Sequence, residues 1–166
     1  NRKHTREEYF DIIDKFRSER PDIALSSDFI VGFPGETDED FQDTLDLVKK
    51  AGYSQCYSFA YSPRPGTPAE LHEQLPEEIK SKRLVELQSL LHDQQKEFNQ
   101  KFLGQEIDVL FERQVVYNGR GQFVGKSPYM QAVAVSGDGV STKDFIGKIM
   151  KVRITEVKEN SLFGEM

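Results

Sequence analysis

The chain has 166 residues and a net charge of -6, with 37% apolar and 30% charged residues, 12 Phe and 6 Tyr. That length holds one ordinary domain or two small ones and excludes a complete large enzyme domain, while the apolar and aromatic content excludes a disordered chain. No run of about 18 apolar residues is present, so no membrane helix is expected. One cysteine, Cys56, excludes an internal disulfide framework and any metal or iron-sulfur site that needs several thiolates from this chain. The start, Asn1-Arg2-Lys3-His4, lacks an initiator Met and has no apolar stretch behind it, the pattern of an internal cut rather than a signal peptide. A reducing, cytoplasmic setting is expected.

Thr5-Arg6-Glu7-Glu8 reads as a capping box that opens a helix with Tyr9, Ile12, Ile13 and Phe16 as its apolar stripe, ended by Pro21. Ile23 to Phe33 follows as a strand, apolar on both faces at Phe29-Ile30-Val31 in the manner of a buried parallel strand. Thr37 with Asp40 caps a second helix carrying Phe41, Leu45 and Val48, and Gly52 terminates it. Tyr53 to Tyr61 returns as a strand, with Tyr53, Tyr57, Phe59 and Tyr61 read as packing residues. After the Pro-rich loop Ser62 to Ala69, Pro76 opens a long helix through Ile79, Leu84, Leu87, Leu91, Phe98 and Phe102, closed by Gly104. Two parallel strands do not make a stable sheet, so residues 1–102 read as a slice of a larger α/β barrel or open sheet that either associates or exposes a hydrophobic sheet surface.

Beyond that boundary the period changes. Ile107, Val109 and Phe111 alternate with polar residues, as do Met150, Val152 and Ile154, and turns are marked by Asn118-Gly119-Arg120-Gly121, Ser136-Gly137-Asp138-Gly139 and Lys158-Glu159-Asn160-Ser161. About five short strands in residues 103–166 predict a small antiparallel all-β barrel of OB-like type. From Arg113 to Arg153 seven basic residues stand against two acidic ones, a net +5 in an otherwise acidic chain. That segment is a candidate polyanion surface or simply a solvated barrel face. Arg120, Lys126, Lys148, Lys151 and Arg153 are the candidate RNA contacts, with Tyr129 and Phe123 as the stacking aromatics.

Gly32-Phe33-Pro34-Gly35-Glu36-Thr37 lies where a strand hands over to a helix, the carboxyl-end position at which α/β proteins hold ligands. Glycine permits close backbone approach and open amides at a helix start attract negative groups; a tight turn with a Thr cap is the structural alternative. Arg64, in the Pro-stiffened loop, is a possible site residue with a fork suited to a carboxylate or phosphate. Cys56 in a strand reads as a buried inert thiol, and His4, His72 and His92 have no ligand spacing.

Asp28-Phe29-Ile30-Val31-Gly32-Phe33-Pro34-Gly35-Glu36-Thr37, then Tyr61-Ser62-Pro63-Arg64-Pro65-Gly66-Thr67-Pro68-Ala69, resembles the radical S-adenosylmethionine tRNA methylthiotransferases. Gly104 to Met166, with Gly121-Gln122-Phe123-Val124-Gly125-Lys126-Ser127-Pro128-Tyr129, resembles the TRAM domain that ends those proteins. The resemblance implies a radical-SAM (βα) barrel segment over 1–102 and a TRAM-like RNA-binding barrel over 103–166. It implies S-adenosylmethionine and 4Fe-4S clusters as cofactors, the cluster cysteines lying in a preceding part of the polypeptide. It implies tRNA as partner, and methylthio insertion at C2 of an adenosine beside the anticodon, in the isopentenyladenosine branch of the family. Gly32, Phe33, Pro34, Gly35 and Glu36 would then border the S-adenosylmethionine pocket. Two other readings stay open: a stand-alone RNA-binding module, and a phosphate-binding α/β enzyme using Gly32 to Thr37.

Overall fold

The computed structural model describes residues 4–137 and 145–166. The expected turn residues Asp138 and Gly139, the charges Lys143 and Asp144, and the first three residues lie outside them. The chain divides into two compact units, 1–94 and 95–166.

In the first unit, helix α1 (Arg6–Glu19) starts at the Thr5 capping box, in which the Thr5 side chain accepts from the Glu8 amide and Glu8 accepts in return from the Thr5 amide. Its buried residues are Phe10 and Ile13, while Ile12 and Phe16 are exposed, so the core face is rotated from the stripe read in the sequence. Strand β1 (Ser26–Val31) is shorter than expected and runs into Gly32. Helix α2 (Asp38–Ala51) has the Thr37–Asp40 capping box at one end and left-handed Gly52 at the other, where Arg17 also donates to the carbonyls of Ala51 and Gly52. Strand β2 (Gln55–Ala60) pairs parallel with β1, Ser26 opposite Gln55 through Val31 opposite Ala60. A 3-10 turn at Pro68–Leu71, not foreseen in the sequence, sits in the Pro-rich loop, and α3 (Glu77–Gln100) follows.

Phe41, Leu45, Val48, Tyr53, Leu87 and Leu91 centre the first core, which covers one face of the two-stranded sheet. The opposite face leaves Ile30, Tyr57 and Phe59 each more than half exposed. Tyr57 and Phe59 therefore lie on an exposed hydrophobic sheet surface of the kind expected from the sequence, whereas Tyr53 is buried and its hydroxyl lies 2.7 Å from that of Tyr9. Burial first, then the Tyr9 hydrogen bond, raises the Tyr53 pKa.

The second unit begins inside α3, ahead of the boundary read after Phe102. Phe98 and Phe102 explain this, since both pack with the core of the strands that follow. Those strands are β3 (Glu106–Tyr117), β4 (Arg120–Lys126), β5 (Ala132–Ser136), β6 (Ile149–Val157) and β7 (Leu162–Glu165), closed into a barrel in the order β3-β4-β5-β7-β6. The expectation of a wholly antiparallel barrel is corrected: β5 and β7 run parallel. Five is odd, and a ring of strands whose neighbours all alternate in direction needs an even number, so a closed five-stranded barrel must contain a parallel pair. Val109, Phe111, Phe123, Val133, Val152, Ile154 and Leu162 fill the interior. Phe123, read as a stacking candidate, is fully buried there with its ring parallel to Phe145 at 4.2 Å.

Candidate cofactor loop and nucleic-acid interface

Gly32 sits at φ +74°, and a Cβ there would overlap the stem of Lys80, so glycine is required both by conformation and by the close approach of α3. Lys80, Arg83, Leu87 and Leu91 recur on one face of α3 and are all buried. The polar end of this face meets the loop. Arg83 donates to Glu36 Oε1 at 2.8 Å, to the Glu36 carbonyl at 3.1 Å and to Asp38 Oδ1 at 2.7 Å, while Lys80 Nζ lies 2.5 Å from Glu77. Glu36 Oε2 in turn accepts from the amides of Gly32 at 2.8 Å and Phe33 at 3.3 Å.

This geometry corrects two expectations. The Glu36 carboxylate, with its side chain only 13% exposed, is spent on the loop's own amides and on Arg83, so it closes the turn instead of facing a ligand. The start of α2 is likewise engaged, because Thr37 Oγ1 takes the Asp40 amide and Asp40 Oδ2 takes the Thr37 amide and hydroxyl. These hydrogen bonds, the backbone one foremost, lower the Asp40 pKa. What the loop presents outward is the Phe33 ring, half exposed and edge-on to Tyr61 at 4.9 Å, followed by Pro34 and Gly35. Lys80 and Arg83 were missed in the sequence because a search for apolar periodicity skips charged residues on a buried face.

Arg64 is exposed; its carbonyl accepts from the Thr67 amide and hydroxyl and so belongs to the turn. Cys56 is half-buried, and burial pushes its thiol up to about 11. From an ordinary value of 9.0, that reduces the thiolate fraction near neutral pH about a hundredfold. Iodoacetamide should therefore alkylate Cys56 about a hundredfold more slowly in the folded chain than in urea at pH 8; equal rates would contradict the buried placement. No group of three or more potential His, Cys, Asp or Glu metal ligands occurs among the described residues.

In the second unit Lys151 and Arg153 alternate with buried Val152 and Ile154 and face outward as expected. Pairing places acids beside both. Lys151 is opposite Asp108, with Nζ 3.0 Å from Oδ1, and Arg153 lies between Glu106 on β3 and Glu165 on β7. The +5 read along the segment is thus offset across the sheet by acids from outside it. Such exposed pairs contribute about 0 to 1 kcal/mol, small enough for a phosphate to compete. Arg120 is exposed at the β3–β4 hairpin opposite Tyr117, and Lys148 is exposed ahead of β6. Lys126 Nζ donates to the Met130 carbonyl at 3.2 Å. Tyr129 packs 4.9 Å from the Phe102 ring and 6.0 Å from Phe98, so its ring serves the core and not an open stacking surface. Its loop is pinned by a buried network in which Ser127 donates to Gln131 and Gln131 donates to Asn99.

A different surface brings aromatics and cations together. An open cleft of about 370 Å³ lies over β4 and β5, with Val124 and Ala134 among its floor residues and Arg113, Tyr117, Lys158 and Phe163 around it. Lys158 Nζ is 5.9 Å from the Tyr117 ring centre and 5.1 Å from that of Phe163.

Residues 100–166, the barrel with the end of α3, match the TRAM domain, and residues 1–48, which include the Gly32 loop, match the radical SAM superfamily. Across its full length the chain is 56% identical to the tRNA-2-methylthio-N(6)-dimethylallyladenosine synthase of Rickettsia canadensis (strain McKiel). It is 57% identical to the proteins of the same name from Rickettsia bellii (strain OSU 85-389) and Rickettsia rickettsii (strain Sheila Smith). The chain thus carries a radical SAM superfamily segment followed by a TRAM domain. It spans 36% of the length of these relatives. The radical SAM match ends within α2, so β2 and most of α3 lie outside both matched segments. No helix among the described residues is long and apolar enough to cross a membrane.

Proposed function

We propose that this chain is part of a tRNA-2-methylthio-N6-isopentenyladenosine synthase, contributing a portion of the S-adenosylmethionine pocket from its first unit and a tRNA-binding surface from its second, in the cytoplasm. The observation that carries the reading is the match over the whole chain to relatives named for the N(6)-dimethylallyladenosine product, dimethylallyl being the same five-carbon prenyl group as isopentenyl. The open sheet face with Ile30, Tyr57 and Phe59 supports a (βα) barrel slice: further strands would bury it at about 25 cal/mol per Å² of apolar surface.

The residues present fit the two cofactor types differently. A single thiol held neutral by burial does not suit a 4Fe-4S cluster, whose ligands would belong to a preceding part of the polypeptide. Phe33, Pro34 and Gly35 suit the flat adenine ring of S-adenosylmethionine, since they offer an exposed ring and close backbone approach beside Tyr61. Bound S-adenosylmethionine supplies the radical initiator and the methyl group in this family. Gly32 and Glu36 act behind that surface by holding the turn. Mass spectrometry of tRNA nucleosides from cells lacking the gene is expected to find N6-isopentenyladenosine without its methylthio group, restored by the full-length gene; an unchanged methylthio level would reject the reading.

For tRNA, Arg120, Lys126, Lys148, Lys151 and Arg153 make phosphate contacts, with Arg64 as a further candidate. Replacing Lys151 and Arg153 together by Ala is expected to reduce the steepness of log affinity against log salt by about 0.7 to 0.9 per lost contact. Both side chains point away from the core, so the fold should persist. An unchanged slope in a folded double variant would leave these residues as ordinary solvated charges, Lys151 paired with Asp108 and Arg153 set between Glu106 and Glu165 on the neighbouring strands.

A further inference from the structure

We propose that Arg83 is a positioning residue for S-adenosylmethionine: from α3 it locks the Glu36 carboxylate and, through it, the Phe33 ring that receives the adenine. This rests on the reading of the Gly32 loop as a border of the S-adenosylmethionine pocket and adds a residue that lies outside both matched segments.

The loop draws its support from elsewhere in the fold. Pairing of β1 with β2 ends where the Tyr61 amide donates to the Val31 carbonyl at 2.8 Å, and the next two amides, of Gly32 and Phe33, turn to Glu36 Oε2. Left-handed glycines stand on either side of Phe33-Pro34, Gly32 at φ +74° and Gly35 at φ +85°. Glycine restricts the backbone less than any other residue, so the aim of the Phe33 ring depends on these hydrogen bonds.

A carboxylate suits position 36 for a reason of donor and acceptor count. Its Oε2 faces two amides and its Oε1 faces Arg83, so both ends must accept, whereas a glutamine of the same shape has a nitrogen that only donates. The Arg83 fork reaches past Oε1 to the Glu36 carbonyl and to Asp38 Oδ1, which fixes the orientation of the carboxylate as well as balancing its charge. The guanidinium lies 5.5 Å from the centre of the buried Phe41 ring, and the Arg83 side chain is only 7% exposed. It is therefore held in place and acts on a ligand through Glu36, not by touching it. Lys80, three residues earlier on the same buried face, packs its stem against Gly32 and closes the underside of the loop. A loop released from these contacts samples other arrangements, and apparent affinity falls in proportion to the fraction that stays competent.

The test uses the full-length enzyme with its clusters reconstituted and measures S-adenosylmethionine binding by titration calorimetry. Phe33→Ala should weaken binding about tenfold, the loss of one stacked base. Glu36→Gln and Arg83→Ala should each weaken it about tenfold by leaving the loop competent about one-tenth of the time. Arg83→Lys, which keeps the charge, should lose about threefold at most. Phe33→Ala combined with Glu36→Gln should bind within about twofold of Phe33→Ala alone, because Glu36 acts through the ring. In Glu36→Gln the KM for S-adenosylmethionine should rise about tenfold with kcat within about twofold of wild type, since saturating ligand refills the competent population. Hydrogen exchange of the peptide carrying the Gly32 and Phe33 amides should quicken in this variant while its circular dichroism stays unchanged. Glu36→Gln leaves Arg83 its bonds to the residue 36 carbonyl and to Asp38, so it decides the matter if Arg83→Ala does not fold. Wild-type affinity in Phe33→Ala rejects the pocket reading together with the proposal. Weakened binding in Phe33→Ala with wild-type affinity in folded Glu36→Gln or Arg83→Ala overturns the proposal alone and leaves the pocket reading standing. A loss of about a hundredfold in the double variant, the product of two independent contacts, overturns it as well.

Discussion

Replacing Arg83 by Ala is expected to destabilise the first unit by about 3 kcal/mol, the lower end of the cost of removing one partner from a buried ion pair. The side chains of Arg83 and Glu36 are 7% and 13% exposed, and Arg83 alone joins the Glu36 carboxylate, the Glu36 carbonyl and Asp38. Without it a carboxylate stays buried against the Gly32 and Phe33 amides, which lessen its desolvation penalty without balancing its charge. Urea unfolding followed by circular dichroism should give a lower midpoint at unchanged slope. Arg83→Lys should fall between, because an ammonium keeps the charge but cannot span the same acceptors with a planar fork. If Arg83→Ala shifts stability by less than about 0.5 kcal/mol, the range of ordinary surface substitutions, the loop is held by its own hydrogen bonds and Arg83 is dispensable.

The second large effect lies in the barrel. Phe123→Ala is expected to cost about 3 to 5 kcal/mol, because the ring is fully buried, stacks on Phe145 at 4.2 Å, and would leave a cavity in a closed core. Tyr117→Ala, half exposed on the same barrel, should change stability by less than about 0.5 kcal/mol. Thermal unfolding of both variants separates a core aromatic from a surface one. Comparable losses would mean that Tyr117 is structural.

Much of the architecture was legible because its signals are local. The Thr5 and Thr37 capping boxes each pair groups three residues apart, Gly52 ends α2 in the left-handed conformation, and Asn118-Gly119 turns the β3–β4 hairpin. Alternation at Ile107, Val109 and Phe111, and again at Val152 and Ile154, assigned the interior of the barrel correctly. The motif around Gly32 was found as a strand-to-helix turn. Its internal chemistry was not: sequence offered Glu36 as a ligand group, and only packing against α3 revealed a carboxylate already matched by Arg83, 47 residues away.

The sequence by itself therefore determined the element types, their caps and turns, and the two-part organisation, since each is written in neighbouring residues or in a change of period. Tertiary structure alone decided which charges meet and which aromatics remain outside. Lys151 and Arg153 look like a cationic stripe along the chain, yet strand pairing sets Asp108, Glu106 and Glu165 beside them. Phe123 and Tyr129 look available for stacking beside Arg120 and Lys126, yet closure of the barrel turns both toward the core and leaves Tyr117 and Phe163 at the cleft. The reason is physical: a charge count or a periodicity sums over chain neighbours, whereas electrostatics and burial act between spatial neighbours, and in a five-stranded barrel those are supplied by other strands.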